Sequence, residues 1–96
     1  MASPPYRTLK CVIAWSERRP LCDLLTAQLA EGAGGGNVLR LGAETCVVYT
    51  AEQPAALRDR LRQRLEDGER LLVLEFERWS SHGRGVDSRW LLARGH

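Results

Sequence analysis

The chain is short of the side chains that usually carry chemistry. Among 96 residues there are two histidines, three cysteines, one methionine and a single lysine. Cys11, Cys22 and Cys46 are odd in number, contain no C-x-x-C pair and sit inside apolar patterns, unlike the paired, loop-placed cysteines of a small secreted scaffold. They read as buried free thiols, and with only His82 and His96 to join them no metal site is expected. No apolar run approaches the roughly 20 residues that a bilayer span needs, so no membrane segment is expected. Met1 to Arg7 carries prolines without the basic, apolar and small-residue succession of a signal peptide, which makes the cytoplasm the expected location.

What is present is ordinary globular material, 44% apolar and 27% charged, enough for one core. The net charge is only +2, yet thirteen of the fourteen basic residues are arginine, which forks onto phosphate and carboxylate alike. A GC-rich coding sequence would produce the same bias, so composition alone is weak evidence for a nucleic-acid partner.

Along the chain, Leu9 to Ser16 alternates as a strand, with Leu9, Cys11, Ile13 and Trp15 on one face and Lys10, Val12, Ala14 and Ser16 on the other. Both faces are largely apolar, which suits a central strand. After the polar turn Glu17 to Arg19, Pro20 stands where proline suits a first helical position. Leu21, Leu24, Leu25, Gln28 and Leu29 keep the spacing of one apolar helical stripe, ending near Gly32. Gly32 to Gly36 reads as a connection. It lacks the Gly-Lys-Ser/Thr ending of a P-loop and follows a helix rather than a strand, so phosphate binding there is unsupported.

Asn37 to Leu41 and Glu44 to Thr50 form a predicted hairpin around Gly42-Ala43. Pro54 opens a second helix with Leu57, Leu61 and Leu65 inward, ending at Gly68, and Leu71 to Arg78 is the fourth strand. The order is the ferredoxin-like β-α-β-β-α-β arrangement, an α+β fold with an antiparallel sheet and two helices on one face. Trp90 to Leu92 is an apolar return that could add a fifth strand or dock on a partner. The expected organisation is a flexible N-terminus over 1–8, the ferredoxin-like domain over 9–79, and a loop with a C-terminal segment over 80–96 that completes a dimer. Two helices cover only one sheet face, so a homodimer through the other is expected.

The candidate chemistry is sparse. Arg58, Arg60, Arg62 and Arg64 could meet a phosphate backbone, but Asp59, Glu66 and Asp67 lie among them, Arg62 and Glu66 at i, i+4, so a charge-paired solvated face is the stronger reading. His82, between Ser81 and Gly83, lacks an evident carboxylate to orient it. Trp15, Trp79 and Trp90 could stack bases, though tryptophans at strand ends more often anchor cores or interfaces. Neither Leu9 to Ser16 nor Thr45 to Thr50 has the aromatic, basic pattern of an RNA-recognition strand. Ser16-Glu17-Arg18-Arg19-Pro20 also replaces the glycine-rich anion loop of acylphosphatases.

From Leu9 to Gly83 the chain resembles the small ferredoxin-fold proteins of the CRISPR-associated Cas-two superfamily, especially the SinR-like members. The resemblance lies in Glu44-Thr45-Cys46-Val47-Val48, in Leu57-Arg58-Asp59-Arg60-Leu61, and in Asp67-Gly68-Glu69-Arg70-Leu71-Leu72-Val73-Leu74 followed by Trp79 and Gly83. It implies a homodimer, often extended by C-terminal segments such as Trp90 to Leu92, and a link to nucleic acid. Nuclease members are expected to carry an aspartate at the end of strand one, where this chain has Trp15-Ser16, with Glu17 one residue late. The expectation is therefore a non-catalytic homodimeric module without cofactor. Arg18, Arg19, Arg58 and Arg62 are its candidate nucleic-acid contacts, and Trp79, Trp90 and Leu91 its candidate interface. The alternatives are a divalent-metal nuclease using Glu17 or another acidic residue and a regulatory protein-interaction module.

Overall fold

The computed structural model describes residues 6–95. Met1 to Pro5, most of the expected flexible N-terminus, lie outside the described residues, as does His96. The elements are β1 (Thr8–Trp15), α1 (Cys22–Ala33), β2 (Val38–Arg40), β3 (Thr45–Thr50), α2 (Pro54–Arg62), β4 (Arg70–Phe76) and α3 (Ser88–Gly95), with a 3-10 turn at Gly35–Asn37 between α1 and β2. The strands make one antiparallel sheet in the order β2-β3-β1-β4, so the fold is α+β with β1 in the interior.

The two-sided apolar pattern of β1 suits a strand flanked on both edges, whose Val12 and Ala14 face is buried and whose Cys11, Ile13 and Trp15 face is half-buried. Val12 and Ala14 face one way with Cys46, Val48 and Val73, and against them pack Leu21, Leu25 and Leu29 from the α1 side and Leu57 and Leu61 of α2. Leu25, Leu29, Leu57 and Leu61 are essentially inaccessible. At roughly 1.5 to 3 kcal/mol for each such side chain, this cluster dominates the stability of the domain.

Local chemistry sets the helix ends. Pro20 lies outside α1, because the Ser16 hydroxyl accepts the backbone N–H groups of Arg18 and Arg19 and holds the chain in a turn to that point; Leu21 becomes the cap and its carbonyl receives the Leu25 N–H (2.8 Å). The helix closes at Gly34, whose φ of +93° is strained for any residue with a Cβ. Gly32 has a different reason: a Cβ there would stand 2.8 Å from both Arg60 Nη2 and Glu52 Oε1, so its bare backbone admits that ion pair against α1. Arg60 uses the space to donate to the Gln28 carbonyl as well (2.6 Å).

Two further elements differ from expectation. The α2 helix stops at Arg62 and the chain continues in turns to Gly68, so Glu66 is not one helical turn from Arg62. Arg62 reaches Asp59 instead (3.8 Å), and Glu66 lies 3.7 Å from Arg19. The segment foreseen as a fifth strand is the helix α3. Asp87 nucleates it, its carboxylate accepting the Trp90 N–H (3.1 Å) and its carbonyl the Leu91 N–H (3.2 Å), and a capped turn cannot also be a strand.

Candidate functional site

The second face of the sheet is where this fold leaves something undone. Cross-strand register divides it into rows. Tyr49, Leu9 and Phe76 form one row, and Leu39, Val47, Cys11 and Leu74 the next. Then come Leu41, Thr45, Ile13 and Leu72, and at the margin Trp15 opposite Arg70. The helix α3 and the loop before it cover the first rows: Leu91 is buried with Leu9 and Val47, and Trp79, Val86 and Trp90 pack around them. The cover ends within the Cys11 row, short of Leu74. Leu72 is 43% exposed, Leu74 46% and Leu41 38%, high values for leucines on a sheet face. The Arg70 guanidinium lies 5.3 Å from the centre of the Trp15 ring and screens only the edge of this apolar area.

The expected interface residues fall on the covered side. Leu91 anchors α3 to its own sheet; Trp90 donates its indole N–H to the Gly36 carbonyl (2.8 Å) and carries Arg94 stacked 4.3 Å above its ring. Trp79 is partly buried, and its indole N–H is buried without an acceptor among the described residues. The three residues are brought together, and what they hold is this chain's own C-terminal helix.

The four arginines chosen for phosphate contact do not converge. Arg18 is exposed on the β1–α1 turn. Arg19 forks onto Glu69, Nε to Oε2 at 2.9 Å and Nη2 to Oε1 at 2.8 Å, and also donates to the Arg64 carbonyl. That fork, with the Glu66 N–H as a second donor (2.7 Å), lowers the Glu69 carboxyl from its ordinary 4.5 to about 2. On α2, Arg58 grips Asp59 (3.0 Å), which Arg62 also approaches. Asp59 therefore neutralises part of the only dense arginine run.

At the C-terminal end of β1 a shallow pocket of about 380 Å³ is lined by Trp15, Ser16, Glu17, Glu44, Gly68 and Arg70. Glu17 thus lies beside one further carboxylate, and among the described residues no three His, Cys, Asp or Glu side chains gather as a metal-holding group. His82 is exposed in its loop, while the neighbouring Ser81 hydroxyl is engaged with that of Ser88 (2.7 Å). Cys22 and Cys46 are buried and Cys11 partly so, all three as free thiols; burial raises the thiols of Cys11 and Cys46 above the ordinary range and makes them poor nucleophiles.

One polar group escaped the sequence reading. Lys10 is wholly inaccessible on the helix-facing side of β1, its ammonium donating to the Thr8 hydroxyl and to the Thr50 carbonyl (2.9 Å), with Glu75 at 3.4 Å. The Thr8 hydroxyl in turn donates to Glu75 (2.7 Å), and together with Lys10 this holds the Glu75 carboxyl below the ordinary range. The available signal was that the one lysine among fourteen basic residues stands in mid-strand between Leu9 and Cys11. Comparison of the chain with protein-family models, curated proteins and solved structures finds no match.

Proposed function

We propose that the protein is a non-catalytic homodimeric module of ferredoxin-like fold whose two copies meet through the uncovered half of the sheet. The fold name is supported by the strand order, which read from the β4 edge runs β4-β1-β3-β2, with α1 and α2 on the same side. The Cas-two, SinR-like resemblance belongs to the same proposal and is consistent with that order. The observation that carries the functional part is the apolar area of Ile13, Trp15, Leu41, Leu72 and Leu74. On a sheet face that α3 leaves half bare, Leu41, Leu72 and Leu74 are exposed and Ile13 and Trp15 half-buried, and an exposed apolar area of this kind is a usual mark of a protein contact.

A specific interface buries on the order of 600 Å² or more on each partner. A twofold contact of sheet on sheet places the same rows of both copies together and so uses this patch twice. Nucleic-acid contact is the weaker branch, because Arg19, Arg58 and Arg62 already face carboxylates within the chain.

The test is the molar mass in solution, measured by sedimentation equilibrium on the wild type and on a Leu72→Glu/Leu74→Glu variant. The expected result is a dimer that the double substitution converts to a folded monomer. A monomeric wild type at tens of micromolar, or a variant that stays dimeric, overturns the proposal.

A further inference from the structure

Beneath α3, at the opposite end of the sheet face from the uncovered rows, lies a pocket of about 330 Å³. Its walls are Leu9, Tyr49 and Phe76, and its polar lining is Arg7, Thr8, Arg94 and Glu77. Apolar and aromatic walls with a few fixed polar groups are the ordinary make-up of a small-molecule site, and the volume is at the lower end of that range.

The two arginines differ from Arg19, Arg58, Arg60 and Arg62, each of which faces a carboxylate. Neither forms an ion pair with a carboxylate among the described residues. Each is held by neutral oxygens instead. Arg7 donates through Nη1 to the carbonyls of Ala33 (3.1 Å) and Tyr49 (3.3 Å). Arg94 donates to Asn37 Oδ1 (3.0 Å) and to the carbonyls of Gly36 (2.7 Å) and Trp90 (3.2 Å). Carbonyls orient a guanidinium without cancelling its charge. Arg7 keeps Nε and Nη2 unspent, and Arg94, with three of its five N–H groups in use, keeps two. Two pre-oriented cations that meet no carboxylate partner among the described residues, against the single carboxylate Glu77, give this lining a net positive charge beside aromatic walls.

We propose that this pocket binds a small planar ring carrying an anionic group, the ring against Tyr49 and Phe76 and the anion between Arg7 and Arg94. The anion is a phosphate monoester or a carboxylate, both of which suit the guanidinium fork. Glu77 opposes it and limits the affinity. The site is separate from the bare rows of the sheet, so it stands or falls independently of the dimer.

Isothermal titration calorimetry with phenyl phosphate and with benzoate tests the site, using inorganic phosphate as the control without a ring. Saturable binding is expected for at least one of the two aromatic anions, and the tighter one identifies the anion class. Inorganic phosphate should bind about tenfold more weakly than the better probe. Arg7→Gln should weaken that probe by about tenfold or more, the loss of one charge-assisted contact, with the melting temperature recorded as a control for folding. Glu77→Gln should tighten it, a change in the opposite direction that misfolding cannot produce. Absence of saturable binding by both aromatic probes, inorganic phosphate binding as well as phenyl phosphate, or affinities unmoved by both substitutions would each overturn the assignment.

Discussion

Replacing Lys10 by methionine removes an ammonium from the middle of the helix-facing side while keeping most of the volume of its stem, which isolates the polar contribution from packing. Two effects oppose each other. The ammonium makes a charge-assisted hydrogen bond to the Thr50 carbonyl (2.9 Å) and another to the Thr8 hydroxyl. Bonds to charged groups contribute about 1.5 to 3 kcal/mol, and a buried acceptor left bare costs about 1 to 3 kcal/mol. Against this, methionine relieves the desolvation of a wholly inaccessible cation, several kcal/mol on its own. Breaking a buried pair is severe when it strands a charge, but Glu75 is 44% exposed and keeps its water. A net destabilisation of about 1 to 2 kcal/mol follows. For a domain of this size that is a fall in melting temperature of roughly 5 to 15 °C. Urea denaturation at pH 7 followed by circular dichroism measures it directly. A methionine variant as stable as the wild type, or more so, would show that desolvation outweighs the hydrogen bonds and that the Lys10 network serves something other than stability.

Other outcomes follow from the same geometry. The Glu69 carboxyl lies near 2 when folded and at its ordinary 4.5 when unfolded, so the unfolded chain takes up the proton first; stability contributed by the Arg19 fork is complete above about 4.5 and is lost as pH falls toward 2. Glu69→Gln should flatten that part of an acid-unfolding curve, and an unchanged curve would contradict the assignment. Leu91→Ala should free α3 while the sheet stays folded, because eight residues are too few to remain helical undocked. Hydrogen exchange should show protection lost in α3 and kept in α1, and retained protection in α3 would refute it. Gly34→Ala should cost about 1 kcal/mol or more at a φ of +93°, whereas Gly36→Ala, in open space without a positive φ, should cost about half of that or less. Equal denaturation midpoints for the two would sink the strain argument.

The elements whose pattern is local were readable from the sequence. Leu21, Leu25 and Leu29 mark α1, Leu57 and Leu61 mark α2, and the alternation of β1 marks its two apolar faces, because periodicity depends only on neighbours in the chain. Errors came where a tertiary partner or a cap decides. Glu66 looked like an i, i+4 partner of Arg62 only so long as α2 was carried to Gly68; the turns after Arg62 turn Glu66 toward Arg19, fifty residues from which Glu69 completes the fork. Trp90 to Leu92 is too short to separate a strand from a helix by periodicity, and Asp87, three residues ahead of Trp90, was the cue that would have chosen the helix.

The proposed contact surface was harder to read for a related reason. Both faces of β1 are apolar, so the sequence shows that the second face needs cover without showing how much of it the chain supplies. That amount is set by the reach of α3. Its eight residues span about 12 Å at 1.5 Å per residue, enough to cover Leu9, Val47 and Tyr49 but not the rows of Ile13 and Leu72. The tryptophans singled out in the C-terminal segment are therefore spent within the chain. The proposed contact falls instead on leucines of β4 that had looked like ordinary strand residues. The interface proposed on those leucines is compatible with a docked α3, so the proposed dimer and the folding of the C-terminal helix would compete for no common surface.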